Sequence, residues 1–453
     1  MKSTVETLSA TRVRLAIEVP FDELEPSLRK AYREIAQQVS IPGFRKGKVP
    51  ASVIDQRVGR GAVLSEAVNE AIPGQIVAAI REHEVRSLGR PEVDNLEFAD
   101  GEPLTFTAEL DVRPEIVLPD LATVTVTVDE VTVTDEQVDE QLGGLRERFA
   151  TLKTVERAAL VGDYVQIDLG ATVDGEEVPG GSASNISHEV GSQQLLPGLD
   201  DVLTGMSAED TSTFTTQLVG GDFAGRDAEV SVTVRTVKEK QLPPIDDAFA
   251  QLASEFDTLD ELRADLEQRL TRVKRIEQLY AARDKALAEI VQRADVPAPD
   301  GVVREEVEHR KQAMSDELER IGASMEDYLS AEEKSEEQID EELTTAAQEG
   351  VKIQLVLDTL ADAEKIQIND DEYGREVVHR AQRLGMAPQA YYDQLVKSGM
   401  AAAVYGDVRR AKALNLVMER VKITDTAGTV LSLDDLKAPD APEETATEDA
   451  PAL

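Results

Sequence analysis

Ten residues near the N-terminus, Ile41-Pro42-Gly43-Phe44-Arg45-Lys46-Gly47-Lys48-Val49-Pro50, carry the side chains best suited to recognising another molecule. Arg45 offers a planar fork of five donors, Lys46 and Lys48 are point charges, and Phe44 can fill an apolar notch. Two prolines and two glycines interrupt helical sequence on both sides, which makes the segment a loop. A basic tip is out of character in a chain of formal net charge -41. These groups suit docking onto an acidic or mixed nucleic-acid and protein surface. On residue types alone they equally suit a plain solvated turn.

Arg29, Lys30, Arg33, Arg57 and Arg60 surround the loop and complete one basic island. The acidity elsewhere repels phosphates, so contact with RNA needs this island to face it. Screening over about 8 Å at physiological salt permits such local orientation.

Other chemistries find little support. The chain has no cysteine, which excludes disulfides, thiolate catalysis and cysteine-based zinc sites. Its four histidines, His83, His188, His309 and His379, lie far apart in sequence. Glu305 and His309 share a helix face in a charge-rich run, too few ligands for a metal. No Gly-x-x-x-x-Gly-Lys-Ser/Thr loop cradles a phosphate, and no cofactor or metal is expected.

With 453 residues there is room for two to four domains. Hydrophobic content is 41% but aromatics only 4%, with no tryptophan, so the cores are built from Leu, Val, Ile and Ala. The first twenty residues hold no apolar run of the kind a secretory signal needs, and no stretch approaches a membrane span. A cytoplasmic, soluble protein with no membrane partner is expected.

The positioning elements follow from periodicity. Residues 1–113 read as an α+β unit: Thr11–Val19 alternates as a strand, Thr4–Leu8 is its partner, and strands return at Val93–Phe98 and Leu104–Val112. Leu24, Leu28, Tyr32, Ile35 and Val39 stripe a helix over Phe21–Ser40, and Ala51–Val58 and Ala62–Arg81 are helical beyond the loop. The loop therefore tips a helical excursion from a small sheet. Pro114 and Pro119 mark a boundary before a crossing strand at 124–133 and a helix from Asp135 to Phe149, opened by a capping box at Thr134. Residues 151–241 are strand-rich, with alternation over Asp163–Leu169 and Glu229–Val237, an Asp174–Gly175 hairpin turn and a short helix near Gly198–Leu203. From Leu242 the chain is helical: a second capping box at Thr258–Glu261 starts a helix to Ala294, and others cover about 300–321, 335–363, 370–384, 388–397 and 400–421. Residues 438–453 are acidic, nearly without apolar bulk, and expected to be disordered.

The unbroken Gly43–Pro50 motif resembles the ribosome-docking signature of the bacterial trigger factors. The order Val173-Asp174-Gly175, Val190-Gly191, Leu195-Leu196-Pro197-Gly198-Leu199 and Gly205-Met206 resembles the FKBP-type peptidyl-prolyl isomerases, a domain that trigger factors carry in this place. The resemblance covers the whole chain except the acidic tail. It implies a multidomain α+β protein: docking domain 1–113, linker strand and helix 114–150, FKBP-like domain 151–241, an elongated all-α body with arm-like hairpins over 242–437, and the tail. It implies ATP-independent chaperoning of unfolded nascent polypeptides. The partners implied are the large ribosomal subunit near the exit tunnel (protein and rRNA) and, for the free protein, a second copy. Gly43, Phe44, Arg45, Lys46, Gly47, Lys48, Val49 and Pro50 would make the ribosomal contact.

Prolyl isomerisation needs no acid, base or nucleophile. Its barrier is the amide's partial double bond, about 18–20 kcal/mol. An apolar, tightly shaped pocket favours the twisted amide, which has lost resonance and charge separation. By resemblance the pocket residues are Leu169, Val178, Ile186, Leu196, Leu199, Phe223 and Val230. The family usually has aromatics at the positions of Leu169, Val178, Ile186, Leu199 and Val230, a tyrosine at Phe223 and an acid at Pro179, so low turnover is expected. The same aliphatics on alternating strands also suit an ordinary core. Apolar residues of the body, Met314, Tyr328, Ile353, Leu355, Tyr391, Tyr392, Met400, Tyr405 and Leu416, are candidates for holding unfolded chains, or for packing between helices. Two rival classes stay open: a free-standing cytoplasmic isomerase with a helical dimerisation platform, and a non-enzymatic interaction protein.

Overall fold

The computed structural model describes residues 1–40, 42, 44–173, 175–217 and 225–436. Ile41, Gly43, Asp174, Phe223 and the acidic tail, to which several expectations attach, lie outside the described residues.

The N-terminal segment forms β1 (Lys2–Ser9), β2 (Arg12–Val19), α1 (Glu25–Gln38), the single turn α2 (Ala51–Ile54), α3 (Arg60–Glu82), β3 (Ser87–Glu97) and β4 (Leu104–Val112). Its antiparallel sheet runs in the order β1-β2-β4-β3. Period-two alternation puts Val13, Leu15, Ile17 and Val19 on the same face as Leu104, Phe106, Ala108 and Leu110. That face is buried against Val68, Ala71, Ile76 and Ala79 of α3. A second, smaller core ties α1 to α2 and α3 through Leu28, Ile35, Val49, Ile54 and Val63. The helical excursion thus has its own packing and is not a loose appendage of the sheet.

Between Pro119 and Thr134 only β5 (Thr125–Val128) is strand, shorter than the alternation to Val133 suggests. Val126 and Val128 are buried, and the acidic Asp129 and Glu130 then leave the core.

Residues Val131–Glu277 make a compact unit. α4 (Asp135–Arg148) opens with the expected box: Gln137 N–H donates to Thr134 Oγ1, and the Gln137 side chain accepts from the Thr134 N–H. Then come β6 (Thr151–Val155), β7 (Tyr164–Val173), β8 (Glu176–Glu189), α5 (Leu199–Leu203), β9 (Thr211–Gln217) and β10 (Asp227–Gln241). They form a sheet in the order β6-β10-β7-β8, with β9 on the other part of β10's edge. α6 (Asp247–Ala253) and the first half of α7 (Leu259–Ala294) pack on α4 around Leu142, Phe249 and Leu262. Glu261 N–H donates to Thr258 Oγ1 and Thr258 N–H to Glu261, completing the second expected box.

The second half of α7 belongs with the N-terminal residues and the rest of the chain. There follow α8 (Asp300–Ile321), α9 (Met325–Glu332), α10 (Glu336–Ala363), α11 (Asp370–Arg383), α12 (Pro388–Ser398), α13 (Ala401–Arg420), β11 (Lys422–Asp425) and β12 (Val430–Leu431). The body is helical, with one small sheet added: β11 pairs in parallel with β5 and antiparallel with β12. Val126, Ile290, Val351, Leu355, Val417 and Ile423 share one core across that sheet and the helices.

The N-terminal sheet rests on this body. Arg304 of α8 donates to Glu92 at 2.9 Å, and Arg113 to Asp362 at 2.8 Å. A Cβ on Gly301 would collide with the Asp111 carboxylate, so any larger residue at the start of α8 requires that side chain to move. Among the described residues no helix is long and apolar enough to cross a membrane.

Candidate functional site

The loop after α1 is held at three points. Val49 is 8% exposed and packs in the core with Ile35 and Ile54. Gly47 donates its N–H to Ala36 O at 2.8 Å, folding the loop back on the end of α1. Lys48 N–H donates to Arg45 O at 2.9 Å and closes the tip into a turn. Gly47 reaches this shape at φ 78°, a conformation that costs an L side chain about 1–2 kcal/mol. The tip is therefore presented by a buried foot and two backbone bonds.

Phe44 is 43% exposed, and Arg45, Lys46 and Lys48 are exposed. None of the three cations forms an ion pair with a described residue, and the same is true of Arg33 and Arg57. The rest of the island read from sequence is already neutralised. Arg29 pairs with Glu25 at 2.6 Å, Lys30 with Glu70, and Arg60 with Asp100 at 3.0 Å. Arg60 also donates to Tyr32 Oη at 2.5 Å, whose own hydroxyl donates to Asp55 at 2.7 Å. Of these, Lys30–Glu70 and Arg60–Tyr32 brace α1 against α3, and the unpaired positive charge is left at the tip and its margin.

The second candidate lies on one face of the β6–β10 sheet. Directly paired residues share a face, so the registers group the side chains. Val230 stands opposite Ala171 and Phe214, Leu169 opposite Val232 and Ala183, and Ile186 opposite Ile167. The structure thus brings Leu169, Ile186 and Val230 onto one face, where α5 adds Leu199, and Leu196 packs against the same core. Val178 is half-buried on β8 and does not join that core; Phe223 lies outside the described residues. Val230 and Leu199 are 0% and 1% exposed, so they are floor rather than open wall. Phe214, which sequence reasoning missed, supplies an aromatic ring to this face and approaches Gly198. Alternation over β9 could have found it, but Thr211–Gln217 is otherwise Ser, Thr and Gln and reads weakly.

A buried carboxylate, Asp163, and a half-buried one, Asp200, fix the domain around this face. Asp163 accepts from both terminal nitrogens of Arg157, at 2.5 and 3.0 Å, and from Leu160 N–H at 2.9 Å. Burial pushes its pKa up, but Arg157 and that N–H outweigh burial and hold it below the usual carboxylate range. A folded pKa below the unfolded one means stability present above about pH 4 and lost as acid titrates the folded group. Asp163→Asn should therefore destabilise the domain by about 1–3 kcal/mol at pH 7. In thermal melts the gap from the unsubstituted protein should close as pH falls below about 4; a gap constant from pH 3 to 7 would refute this role. His188 and Asp200 make the second buried contact, 2.6 Å apart, which no spacing in the sequence announces.

The candidates for holding unfolded chains divide. Leu355 is buried in the body core and Ile353 packs against it, so these two are structural. Tyr391 packs with Val377, Leu395 and Val404 between α11, α12 and α13, and Met314, Tyr328 and Leu416 are half-buried. Tyr392, Met400 and Tyr405 remain exposed, joined by Leu384 and Val396, which the sequence reading did not single out.

Comparison with known proteins finds three family models along the chain. The family model described as bacterial trigger factor protein matches residues 1–145, and its C-terminal counterpart matches 258–419. Between them, residues 155–218 match the FKBP-type peptidyl-prolyl cis-trans isomerase model. A trigger factor from Salinispora arenicola (strain CNS-205) is 71% identical over 97% of this chain and 98% of its own length. One from Saccharopolyspora erythraea is 49% identical over 98% of this chain and 95% of its own. A solved chain reported under "Promiscuous Substrate Recognition in Folding and Assembly Activities of the Trigger Factor Chaperone" aligns over 92% of this chain and 99% of its own, at 21% identity and a TM-score of 0.46. Matches on both sides of the isomerase segment disfavour a free-standing isomerase. The chain belongs to the bacterial trigger factor family and carries an FKBP-type domain within it.

Proposed function

We propose that this chain is an ATP-independent chaperone of the cytoplasm that docks on the large ribosomal subunit near the exit tunnel through Gly43–Pro50. The observation that carries the reading is an exposed tip of Phe44, Arg45, Lys46 and Lys48, without ion pairs to the described residues, on a chain of net charge -41. Arg45 and the lysines meet rRNA phosphate or acidic protein, Phe44 fills a notch between them, and the acidic remainder keeps other surfaces off the RNA. Residues 1–113 then serve as the docking domain, and 114–150 with 242–437 as the body that holds unfolded nascent chains. Tyr392, Met400 and Tyr405 give that body shallow apolar contacts rimmed by charge, suited to weak binding of many sequences. Free of the ribosome, the protein forms a homodimer.

Residues 151–241 act as a prolyl isomerase of low turnover. Leu169, Ile186, Leu196, Leu199 and Val230 exclude water but lack the rigid aromatic walls that grip a twisted amide best, and Phe214 is the aromatic among the described residues of that face. Val178 and Phe223 complete the set by resemblance.

A photo-reactive amino acid at position 44 of the full chain tests the docking assignment. Mixed with ribosomes, it should cross-link to components of the large subunit, whereas the same group at the exposed Leu384 should not. Equal capture from both positions, or none from 44, would remove the assignment.

A further inference from the structure

We propose that His188 and Asp200 are a positioning pair that sets the wall of the isomerase face, Leu195 to Leu199, at its working height above the sheet. This deepens the isomerase reading and rests on it.

The wall is the connection between β8 and α5. Its anchor is α5, a single turn entered through Gly198 at φ 83°. Asp200, the second residue of α5, reaches back under its own approach. Its Oδ1 lies 2.6 Å from His188 Nε2, and its Oδ2 accepts the Gln193 N–H at 2.8 Å. The Gly191 N–H bonds to the same carboxylate. One carboxylate therefore joins the last inward residue of β8, the start of the connecting loop and the helix that ends it.

His188 is well placed for this. It pairs with Val165 and sits two residues from Ile186, so it lies on the isomerase face opposite Val165. It is 4% exposed, a polar ring in an otherwise apolar row. A carboxylate only accepts, so the ring donates its Nε2–H. Asp200 is held below the usual carboxylate range: burial pushes it up, and the Gly191 N–H, His188 and the Gln193 N–H together outweigh that. An apolar residue at 188 would remove the ring donor from Oδ1, and the half-buried carboxylate would have to turn toward water, moving the wall with it. Leu196 and Leu199 ride on that wall, so its height decides how tightly a prolyl ring is enclosed.

The test compares His188→Leu with His188→Gln in the full chain, using a prolyl tetrapeptide at a temperature where circular dichroism shows each variant folded. Gln places an amide donor where Nε2 stands; Leu does not. His188→Leu should lower kcat/KM about tenfold, chiefly through a raised KM, and His188→Gln should recover most of the loss. Amide exchange at Gln193 should accelerate in the Leu variant only. A merely stabilising contact would leave the kinetics of the folded protein unchanged. A folded His188→Leu with unaltered kcat/KM, or a His188→Gln as impaired as Leu, would overturn the pair. If the unsubstituted chain turns over no prolyl peptide, the isomerase reading itself fails. Exchange at Gln193 then still separates a clamp, faster in Leu alone, from a passive contact, unchanged in both.

Discussion

Phe106→Ala is expected to cost the N-terminal sheet about 3–5 kcal/mol, a large share of what holds a domain of this size folded. Phe106 is 2% exposed on the inward face of β4, in one core with Leu15, Ile17 and Val68. Losing the ring leaves a cavity that the paired strands β2 and β4 are too constrained to close. The protein contains several cooperative units, so a single melting midpoint would mix them. Hydrogen exchange of the β2 and β4 amides isolates the effect: their protection should fall by that amount, while amides of Val131–Glu277 stay as they were. Unchanged protection in β2 and β4 would mean that the cluster around Phe106 is not what stabilises the sheet. The effect reaches the proposed docking loop, because α3 packs on this sheet and α1, which leads into the loop, packs on α3.

What could be read in advance depended on the range of the interaction. The inward faces of β2 and β4 were legible because strand alternation is a local signal, and both side-chain boxes, at Thr134 and Thr258, were legible because each is closed within four residues. The β5–β11 pairing was not, since Val126 meets Ile423 across nearly the whole chain and neither strand exceeds four residues. Leu355 illustrates another limit: periodicity shows that a helix has an apolar stripe, not whether a neighbour covers it, and here the body core does. The exposed basic tip at Phe44–Lys48 was legible as composition. That Arg29, Lys30 and Arg60 are spent on Glu25, Glu70 and Asp100 was not, because two of those partners lie 40 residues away. His188 gave no sign at all; a lone histidine in a strand acquires meaning only when the fold brings Asp200 to it.

The loop is where the account is most exposed to test. Phe44, Arg45 and Lys46 make no side-chain contact that the fold needs, whereas Val49 and Gly47 hold the loop in place. Truncating the first three to alanine should therefore leave the domain folded while removing one apolar anchor and two unpaired cations. At about 1 kcal/mol or more for each, the loss approaches 100-fold or greater in affinity at physiological salt. Part of that loss is electrostatic, so the deficit should narrow as salt is raised. The decisive measurement is co-sedimentation of the full chain with purified ribosomes, beside Phe44→Ala/Arg45→Ala/Lys46→Ala shown by circular dichroism to be folded. The account predicts that the unsubstituted protein pellets with the large subunit and the triple variant stays in the supernatant. Equal pelleting of the two would contradict it.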